Sequence, residues 1–301
     1  MKLLPSLIAG PALILACTEF FAAVGLLFRV RLATLVAMSA LCGALLTGQG
    51  LTWAVVAVSL AVWLLAAGCS ALNQLQEIDI DGRMSRTCER PLPRGLMAPS
   101  QALWCALLVL ILGLLLLLPL GPWPLALGLL AVVWYNLVYT PLKRKTAWAV
   151  FPGAICGALP PLMGYTAAGG VAHDPLVVLL AGTLVIWQVP HFWLLAWRYR
   201  QDQFDSGLPT IFDQLNEQQF FAINKCWLTA LFACYLFFGF FNIISNPWLT
   251  GLFLTLLVSL VSGIVLQLVR GVQRADPSRL FQMVNLSLAL LLLTLILDSV
   301  L

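Results

Sequence analysis

Residues 101–120 read QALWCALLVLILGLLLLLPL, a run without a single charged side chain. A helix of that length rises about 30 Å, which is the thickness of the hydrocarbon core of a bilayer. Gly121 and Pro122 interrupt the run, and residues 122–141 form a second uncharged stretch. This part of the sequence therefore predicts two transmembrane helices joined by a short turn.

The same pattern extends over the whole chain of 301 residues. Hydrophobic residues make up 61% of it and charged residues only 9%, whereas a soluble domain has about 25% charged residues. We therefore predict an all-α, polytopic membrane bundle of about nine transmembrane helices. The predicted spans are residues 31–49, 52–73, 101–120, 122–141, 147–168, 175–196, 224–245, 247–268 and 280–298.

The N-terminus adds one more apolar segment, residues 1–28, which Glu19 interrupts. We predict that this segment either spans the membrane or lies at its interface. Lys2 alone is a weak n-region for a signal peptide, and no small-residue cleavage site stands out. Residues 29–301 are predicted to form one membrane domain.

The basic residues predict the orientation in the membrane. Of the 16 Lys and Arg residues, 15 fall in alternate connections between the spans, and the connections on the other side carry none. Because basic loops stay in the cytoplasm, we predict that the basic connections face the cytoplasm. The location that we expect is a bacterial inner membrane. The net charge of +4 reflects this asymmetry and does not indicate nucleic-acid binding.

The eight cysteines contain no CxxC pair, so we predict neither disulfides nor a zinc site.

The first polar cluster follows the second predicted span. Asn73, Glu77 and Asp81 are spaced four residues apart, which places them on one face if the helix continues. Two carboxylates and an amide oxygen suit a divalent cation, and hard oxygen ligands favour Mg²⁺. A charged, solvated helix end is the plainer alternative. Asp79 falls on another face and is predicted to pair with Arg83.

Basic residues accompany these acids on the predicted cytoplasmic side. Arg86 and Arg90 follow Asp81 closely, and Lys143 and Arg144 occupy the turn before the fifth predicted span. Guanidinium groups bind phosphate oxygens in a forked geometry, so a metal ion beside several cations is suited to a diphosphate. The positive-inside rule alone is the alternative explanation for these basic residues.

Another polar cluster lies at the end of the sixth predicted span. Its polar and aromatic members are Trp187, Gln188, His191, Arg198, Asp202 and Asp205. The two aspartates predict a second acidic site, four helices after the first, and this spacing indicates two related four-helix halves around a shared cavity. For His191 the ordinary alternative is a core histidine whose hydrogen bonds are satisfied.

In these motifs the chain resembles the UbiA superfamily of intramembrane prenyltransferases. The family's Asn-x-x-x-Asp-x-x-x-Asp run, followed by Met-x-Arg-Thr-x-x-Arg-Pro-Leu, corresponds to residues 73–92, with Glu77 in place of an aspartate. Its Tyr-Thr-Pro-Leu-Lys-Arg-x-Thr segment matches residues 139–146, and Gly-Ala-x-Pro-Pro-x-x-Gly matches 157–164. Trp-Gln-x-Pro-His-Phe, at residues 187–192, is typical of the branch that farnesylates heme.

The residues and the resemblance together imply a Mg²⁺-dependent prenyltransferase. The expected partners are farnesyl diphosphate, heme B and membrane lipid, without nucleic acid, and the product is heme O. Catalytic roles are expected for Asp81, Asp202, His191 and Lys143. Metal ligands are expected at Asn73, Glu77, Asp81, Asp202 and Asp205. Substrate contacts are expected from Asn73, Arg86, Arg90, Tyr139, Lys143, Arg144, Trp187, Gln188, His191 and Arg198.

Two other functions stay open at this point. Glu77 and Ala149 depart from the family pattern, which leaves room for an aromatic acceptor of the quinone type, such as a 4-hydroxybenzoate-like acid or a naphthoate. A transporter would need ionisable groups near mid-membrane, lining a path to both sides. Apart from Glu19 and Asp298, the acids of this chain lie in or beside connections on one side, which argues against transport.

Overall fold

The computed structural model describes residues 22–269 and 275–301, which form helices, turns and short connections. Most of the predicted N-terminal segment, including Glu19, lies outside the described residues. Residues 22–27 are helical. Gln74 joins them to the bundle, because its Nε2 donates to the carbonyl oxygens of Leu26 and Leu27 at 3.1 and 2.7 Å.

Long apolar helices make up most of the described chain. Eight helical segments in this part are long and apolar enough to cross a membrane, and Val30–Leu45 is a shorter apolar helix. The main helices are α1 (Val30–Leu45), α2 (Trp53–Gln76), α4 (Pro99–Leu117), α5 (Pro122–Val133), α7 (Val150–Ala167), α8 (Pro175–Arg198), α10 (Glu217–Phe240), α11 (Pro247–Val269) and α12 (Pro277–Asp298). The predicted all-α membrane bundle is confirmed.

Short elements complete or connect these helices. Helices α3 (Ile78–Asp81) and α9 (Arg200–Ser206) lie in the two acidic connections. A π-helical turn (Trp134–Tyr139) and α6 (Thr140–Leu142) extend α5. Single 3₁₀ turns lie at Leu118–Leu120, Ala147–Ala149 and Ile211–Asp213.

Polar side chains at the N-termini explain where several spans begin. Asp174 accepts a hydrogen bond from the N–H of Leu176 at 2.9 Å, directly before Pro175 opens α8. Helix α10 begins at Glu217, seven residues before its predicted start, because Asn216 and Gln219 form a reciprocal capping box. Such caps satisfy the N–H groups that have no partner in the first helical turn.

Glycines allow a close crossing of two helices. A side chain on Gly43 would meet the carbonyl oxygen of Pro161 at 2.1 Å, and one on Gly164 would meet that of Ala40 at 1.9 Å. Helices α1 and α7 therefore pack backbone against backbone at these positions. Small residues serve this purpose in membranes, where helices associate by close packing rather than by the hydrophobic effect.

The buried apolar side chains form two main clusters. One cluster is built chiefly from α1, α2, α4 and α7, and the other from α8, α10, α11 and α12. The predicted division into two four-helix halves therefore holds only in part, because α7 packs with the first group and, through Val150 and Ala154, also with α8 and α10. Cys42 joins the two groups, since its Sγ lies 3.4 Å from the carbonyl oxygen of Leu292.

Candidate active site

A cavity of about 840 Å³ lies between these two groups of helices, within the range of ~300–1,000 Å³ common for small-molecule sites. Its polar end is lined by Arg29, Asn73, Glu77, Asp81, Arg86, Arg90 and Lys143. Its apolar part is lined by Leu32, Leu35, Val36, Val62, Leu65, Leu184, Leu288 and Leu292. The cavity thus combines a charged end with a long apolar wall.

Asn73, Glu77 and Asp81 all line this cavity, although the helix does not run straight through them as predicted. Helix α2 ends at Gln76, and Glu77 has φ −123° and ψ 17° before α3 begins. The N–H of Asp81 still donates to the carbonyl oxygen of Glu77 at 2.8 Å. This hydrogen bond bridges the break and keeps the three side chains on the cavity side.

Glu77 is the centre of a buried hydrogen-bond network. Its Oε2 accepts from Lys143 Nζ at 2.6 Å and from Asn73 Nδ2 at 3.0 Å. Asn73 Nδ2 also lies 3.2 Å from Thr140 Oγ1. The other carboxylate oxygen of Glu77, Oε1, is buried and has no hydrogen-bond partner in the described part of the chain. Burial lowers the pKa of Lys143 below its usual range, although the charge of Glu77 opposes that shift.

Asp81 forms the second ion pair of the cavity. Arg90 donates to Asp81 Oδ2 at 2.5 Å, and Thr87 Oγ1 donates to the Asp81 carbonyl oxygen at 2.9 Å. Asp81 itself is only 3% exposed. The loop after α3 therefore folds back over Asp81 and carries Arg90 to the cavity.

The cavity has more positive than negative charge. Among its described lining residues, Arg29, Arg86, Arg90 and Lys143 are basic, and Glu77 and Asp81 are acidic. Burial lowers the pKa of Arg86, and the neighbouring charges of Arg90 and Arg29 lower it further. Like charges held together in a half-buried site favour an anionic ligand, which would relieve their repulsion.

Asp202 lies against the first acidic connection but does not line the cavity. Its Oδ1 and Oδ2 accept from Ser85 Oγ at 2.7 and 2.8 Å, and its Oδ2 accepts from the N–H of Arg86 at 3.3 Å. Asp205 is exposed and accepts from Gln201 at 3.1 Å. Within residues 22–269 and 275–301, no three His, Cys, Asp or Glu side chains are grouped closely enough to hold a metal ion. A second metal site at Asp202 and Asp205 stays a prediction.

Two predicted substrate-binding arginines lie outside the cavity lining. Arg144 pairs with Asp79 at 2.8 Å and also donates to the carbonyl oxygen of Gln76. The predicted pair between Asp79 and Arg83 is thus wrong, because the turn at Lys143 brings Arg144 from another connection to this aspartate. Hydrogen bonds from Arg144 lower the pKa of Asp79. Arg198 is exposed and stacks over the ring of Tyr199, 5.3 Å from its centroid.

A π-helical turn positions Tyr139 on the cavity wall. Gln76 Nε2 donates to the carbonyl oxygen of Asn136, within this turn, at 3.0 Å. Gly153 makes room for the Tyr139 ring, which would lie 2.6 Å from a side-chain carbon at that position. Lys143 Nζ lies 5.6 Å from the ring centroid. Single π-helical turns are frequent at functional sites.

The Trp-Gln-x-Pro-His-Phe segment lines another part of the cavity. Trp187, Gln188 and His191 all lie on its wall. Gln188 reaches the backbone of α7, where its amide can donate to the carbonyl oxygen of Gly153 at 3.2 Å and accept from the N–H of Gly157 at 3.3 Å. His191 Nδ1 lies 2.7 Å from Asn285 Oδ1. The three predicted positions are thus brought together with the charged end in one cavity.

Sequence reasoning missed several lining residues. Tyr199 lies on the wall with Arg86 5.5 Å above its ring, and Gln282 and Asn285 line the wall from α12. The two amides on α12 carried a usable signal, since they are polar residues at the start of an otherwise apolar span. Tyr199 carried none, because its place depends on how α8 and α9 meet.

Most of the sequence matches a known family. The model of the UbiA prenyltransferase family matches residues 36–291. A protoheme IX farnesyltransferase from Geobacter sulfurreducens is 44% identical over 237 residues, which cover 77% of this chain and 87% of that protein. A second, from Oleidesulfovibrio alaskensis, is 36% identical over 90% of this chain and 94% of its own length.

Solved structures share the fold. A UbiA homologue from Aeropyrum pernix K1 superposes with a TM-score of 0.70 over 90% of this chain and 98% of that one, at 20% identity. Another, from Archaeoglobus fulgidus and bound to GPP and Mg²⁺, gives 0.68 over 93% and 100%, at 14% identity. The chain, an integral multi-pass membrane protein, therefore belongs to the UbiA prenyltransferase family.

Proposed function

We propose that this chain transfers a farnesyl group from farnesyl diphosphate to the vinyl group of heme B, giving heme O. The observation that carries the proposal is the cavity, in which a cationic end, a long apolar wall and the Trp187–His191 segment occur together. The relatives named protoheme IX farnesyltransferase, which align over most of their own length, support heme B as the acceptor.

The charged end suits the departure of diphosphate. As the allylic carbon–oxygen bond breaks, the electron pair stays with the diphosphate, whose negative charge increases. Arg86, Arg90 and Lys143 line the cavity at this end. Charged groups fixed in place before the reaction stabilise such developing charge without reorganisation.

The acidic residues fit a Mg²⁺ ion at the same end. Glu77 Oε1 is a buried carboxylate oxygen without a hydrogen-bond partner among the described residues, and hard oxygen donors are the ligands that Mg²⁺ prefers. Glu77 and Asp81, with Asn73, would hold the ion, and Asp202 and Asp205 would supply a second site. Bound there, Mg²⁺ would supply Lewis-acid stabilisation of the diphosphate oxygens.

The apolar wall suits the farnesyl chain and protects the allylic cation from water. The terminal carbon of the heme vinyl group then forms a bond to C1 of the farnesyl group. The positive charge passes to the vinyl carbon next to the porphyrin, where one water molecule adds and loses a proton. His191 lies on the same cavity and contacts the acceptor in this proposal.

The test is incubation of the purified protein with heme B, farnesyl diphosphate and Mg²⁺, followed by mass spectrometry. The expected product is heme B plus one farnesyl group and one water. A parallel reaction with 4-hydroxybenzoate or a naphthoate separates the quinone type of acceptor. Product from the aromatic acid and none from heme B would overturn the proposal.

Asp81→Asn should reduce turnover at least ~100-fold, because it removes a charge that holds Arg90 and would bind the metal. Asp79→Asn is the matched control, since Asp79 is a neighbouring acid that pairs with Arg144 outside the cavity lining. It should keep near-normal turnover. Adding EDTA should stop the reaction, and excess Mg²⁺ should restore it. Normal turnover of the Asp81 variant would contradict the assigned role.

We also propose that residues 29–301 form the catalytic membrane domain in a bacterial inner membrane, with the charged end of the cavity facing the cytoplasm. The distribution of Lys and Arg supports this orientation. Diphosphate substrates are charged and water-soluble at one end, so a cytoplasmic opening would admit that end directly.

A further inference from the structure

We propose that Asn285 fixes His191 in the tautomer that carries its proton on Nδ1, so that Nε2 is free to bind the iron of the heme substrate. This inference rests on the proposed function, because it concerns how the acceptor is held. It makes Asn285 a positioning residue and His191 the ligand.

The hydrogen bonds of Asn285 decide which ring nitrogen is protonated. Asn285 Nδ2 donates to the carbonyl oxygen of Phe281, one turn earlier in α12, at 2.7 Å. Its Oδ1 therefore faces His191, where it lies 2.7 Å from Nδ1. An amide oxygen can only accept a hydrogen bond, so His191 Nδ1 must be the donor, and in the neutral imidazole Nε2 then keeps its lone pair.

Aromatic side chains hold the imidazole ring in place. The ring centroid of His191 lies 4.4 Å from that of Trp187, 4.9 Å from Phe281 and 5.3 Å from Phe192. Trp187 is itself fixed, because its Nε1 donates to the carbonyl oxygen of Val284 on α12 at 3.1 Å. Both α8 and α12 thus restrict the ring.

Nε2 has no hydrogen-bond partner in the described part of the chain, and His191 lines the cavity. A neutral imidazole nitrogen is a common ligand of iron. In metalloproteins the other ring N–H usually donates to a carboxylate or carbonyl oxygen, which sets the tautomer and raises the ligand's basicity. Asn285 occupies this position, with an amide oxygen as the acceptor. Iron ligation here would anchor the porphyrin and position one vinyl group for attack.

The test is the absorption and electron paramagnetic resonance spectrum of ferric heme B added to the purified protein without farnesyl diphosphate. The wild-type protein should show a histidine-ligated spectrum. His191→Gly should lose that spectrum, and added imidazole should restore it. Asn285→Leu should weaken heme binding about 10- to 100-fold, the usual effect of losing such an acceptor. Asn285→Asp keeps an acceptor for Nδ1 and should keep the spectrum.

Asn224→Leu is the matched control. Asn224 makes the same amide-to-carbonyl contact on α10, to Phe220 at 2.9 Å, but it does not line the cavity. Its replacement should leave the heme spectrum unchanged. An identical heme spectrum in wild-type and His191→Gly protein would overturn the inference, and so would equal heme affinity in the Asn285→Leu variant.

Failure of this inference can be told from failure of the proposed function. If heme B is farnesylated while His191→Gly leaves the spectrum unchanged, the ligand assignment is wrong and the function stands. If the wild-type protein neither binds nor farnesylates heme B, and prenylates an aromatic acid instead, the function itself is wrong.

Discussion

At the scale of single residues, the pair of Glu77 and Lys143 shows how the site holds charge inside a membrane protein. Glu77 is 4% exposed, and Lys143 Nζ lies 2.6 Å from its Oε2. Removing the cation would leave a buried, uncompensated carboxylate. We expect Lys143→Met to lower the free energy of unfolding in detergent by about 2 kcal/mol. This loss is smaller than for a fully buried pair, because Lys143 is partly solvated.

A double-mutant cycle tests whether this pair is coupled. Glu77→Gln alone and Lys143→Met alone should each destabilise the protein, whereas the double variant should lose less than the sum of the two. The measurement is thermal unfolding in one detergent at one pH. Strictly additive losses would show that the two side chains do not stabilise each other.

At the scale of elements, Asp202 connects the loop after α3 to α9. Ser85→Ala and Asp202→Ala should both loosen this connection, because each removes hydrogen bonds of 2.7–2.8 Å. Hydrogen exchange over residues 83–98 should therefore rise in both variants.

If Asp202 also binds Mg²⁺, only Asp202→Ala should raise the Mg²⁺ concentration needed for half-maximal turnover, by roughly tenfold. Equal effects of both variants on that concentration would mean that Asp202 has only a structural role.

The crossing of α1 and α7 gives a second prediction at this scale. Gly164→Ala should lower the free energy of unfolding by about 1–3 kcal/mol, because the added carbon would meet the carbonyl oxygen of Ala40 at 1.9 Å. Gly182→Ala in α8 is the matched control, since nothing lies within 4 Å of the added carbon. That variant should be neutral or slightly stabilised. Equal stability of the two variants would mean that α1 and α7 can separate without cost.

At the scale of the whole molecule, the distribution of basic residues predicts the orientation in the membrane. In a background without native cysteines, His173→Cys should react with an impermeant thiol reagent added outside intact cells. Lys145→Cys should react only after the membrane is permeabilised. Both positions are exposed, so access from one side, rather than burial, decides the outcome. The reverse labelling pattern would show that the orientation in the membrane is opposite to the one proposed.

Much of this protein could be predicted from local sequence features. Uncharged runs of about twenty residues predicted most of the spans, because a bilayer admits only backbone whose hydrogen bonds are satisfied internally. The helix Val30–Leu45 is shorter than its predicted span. The motifs likewise identified most of the charged residues of the cavity, and ten predicted residues lie on its wall: Asn73, Glu77, Asp81, Arg86, Arg90, Tyr139, Lys143, Trp187, Gln188 and His191. Residue type and spacing, together with the resemblance to the family, were sufficient for these.

The tertiary structure alone decided which side chains contact each other. Regular spacing predicted a continuous helix through Glu77 and a pair between Asp79 and Arg83, but the break after Gln76 and the turn at Lys143 brought Arg144 to Asp79 instead. The contact between His191 and Asn285 joins residues 94 positions apart. Such contacts depend on how closely helices cross and at what rotation, and packing across the whole bundle, not local periodicity, sets both.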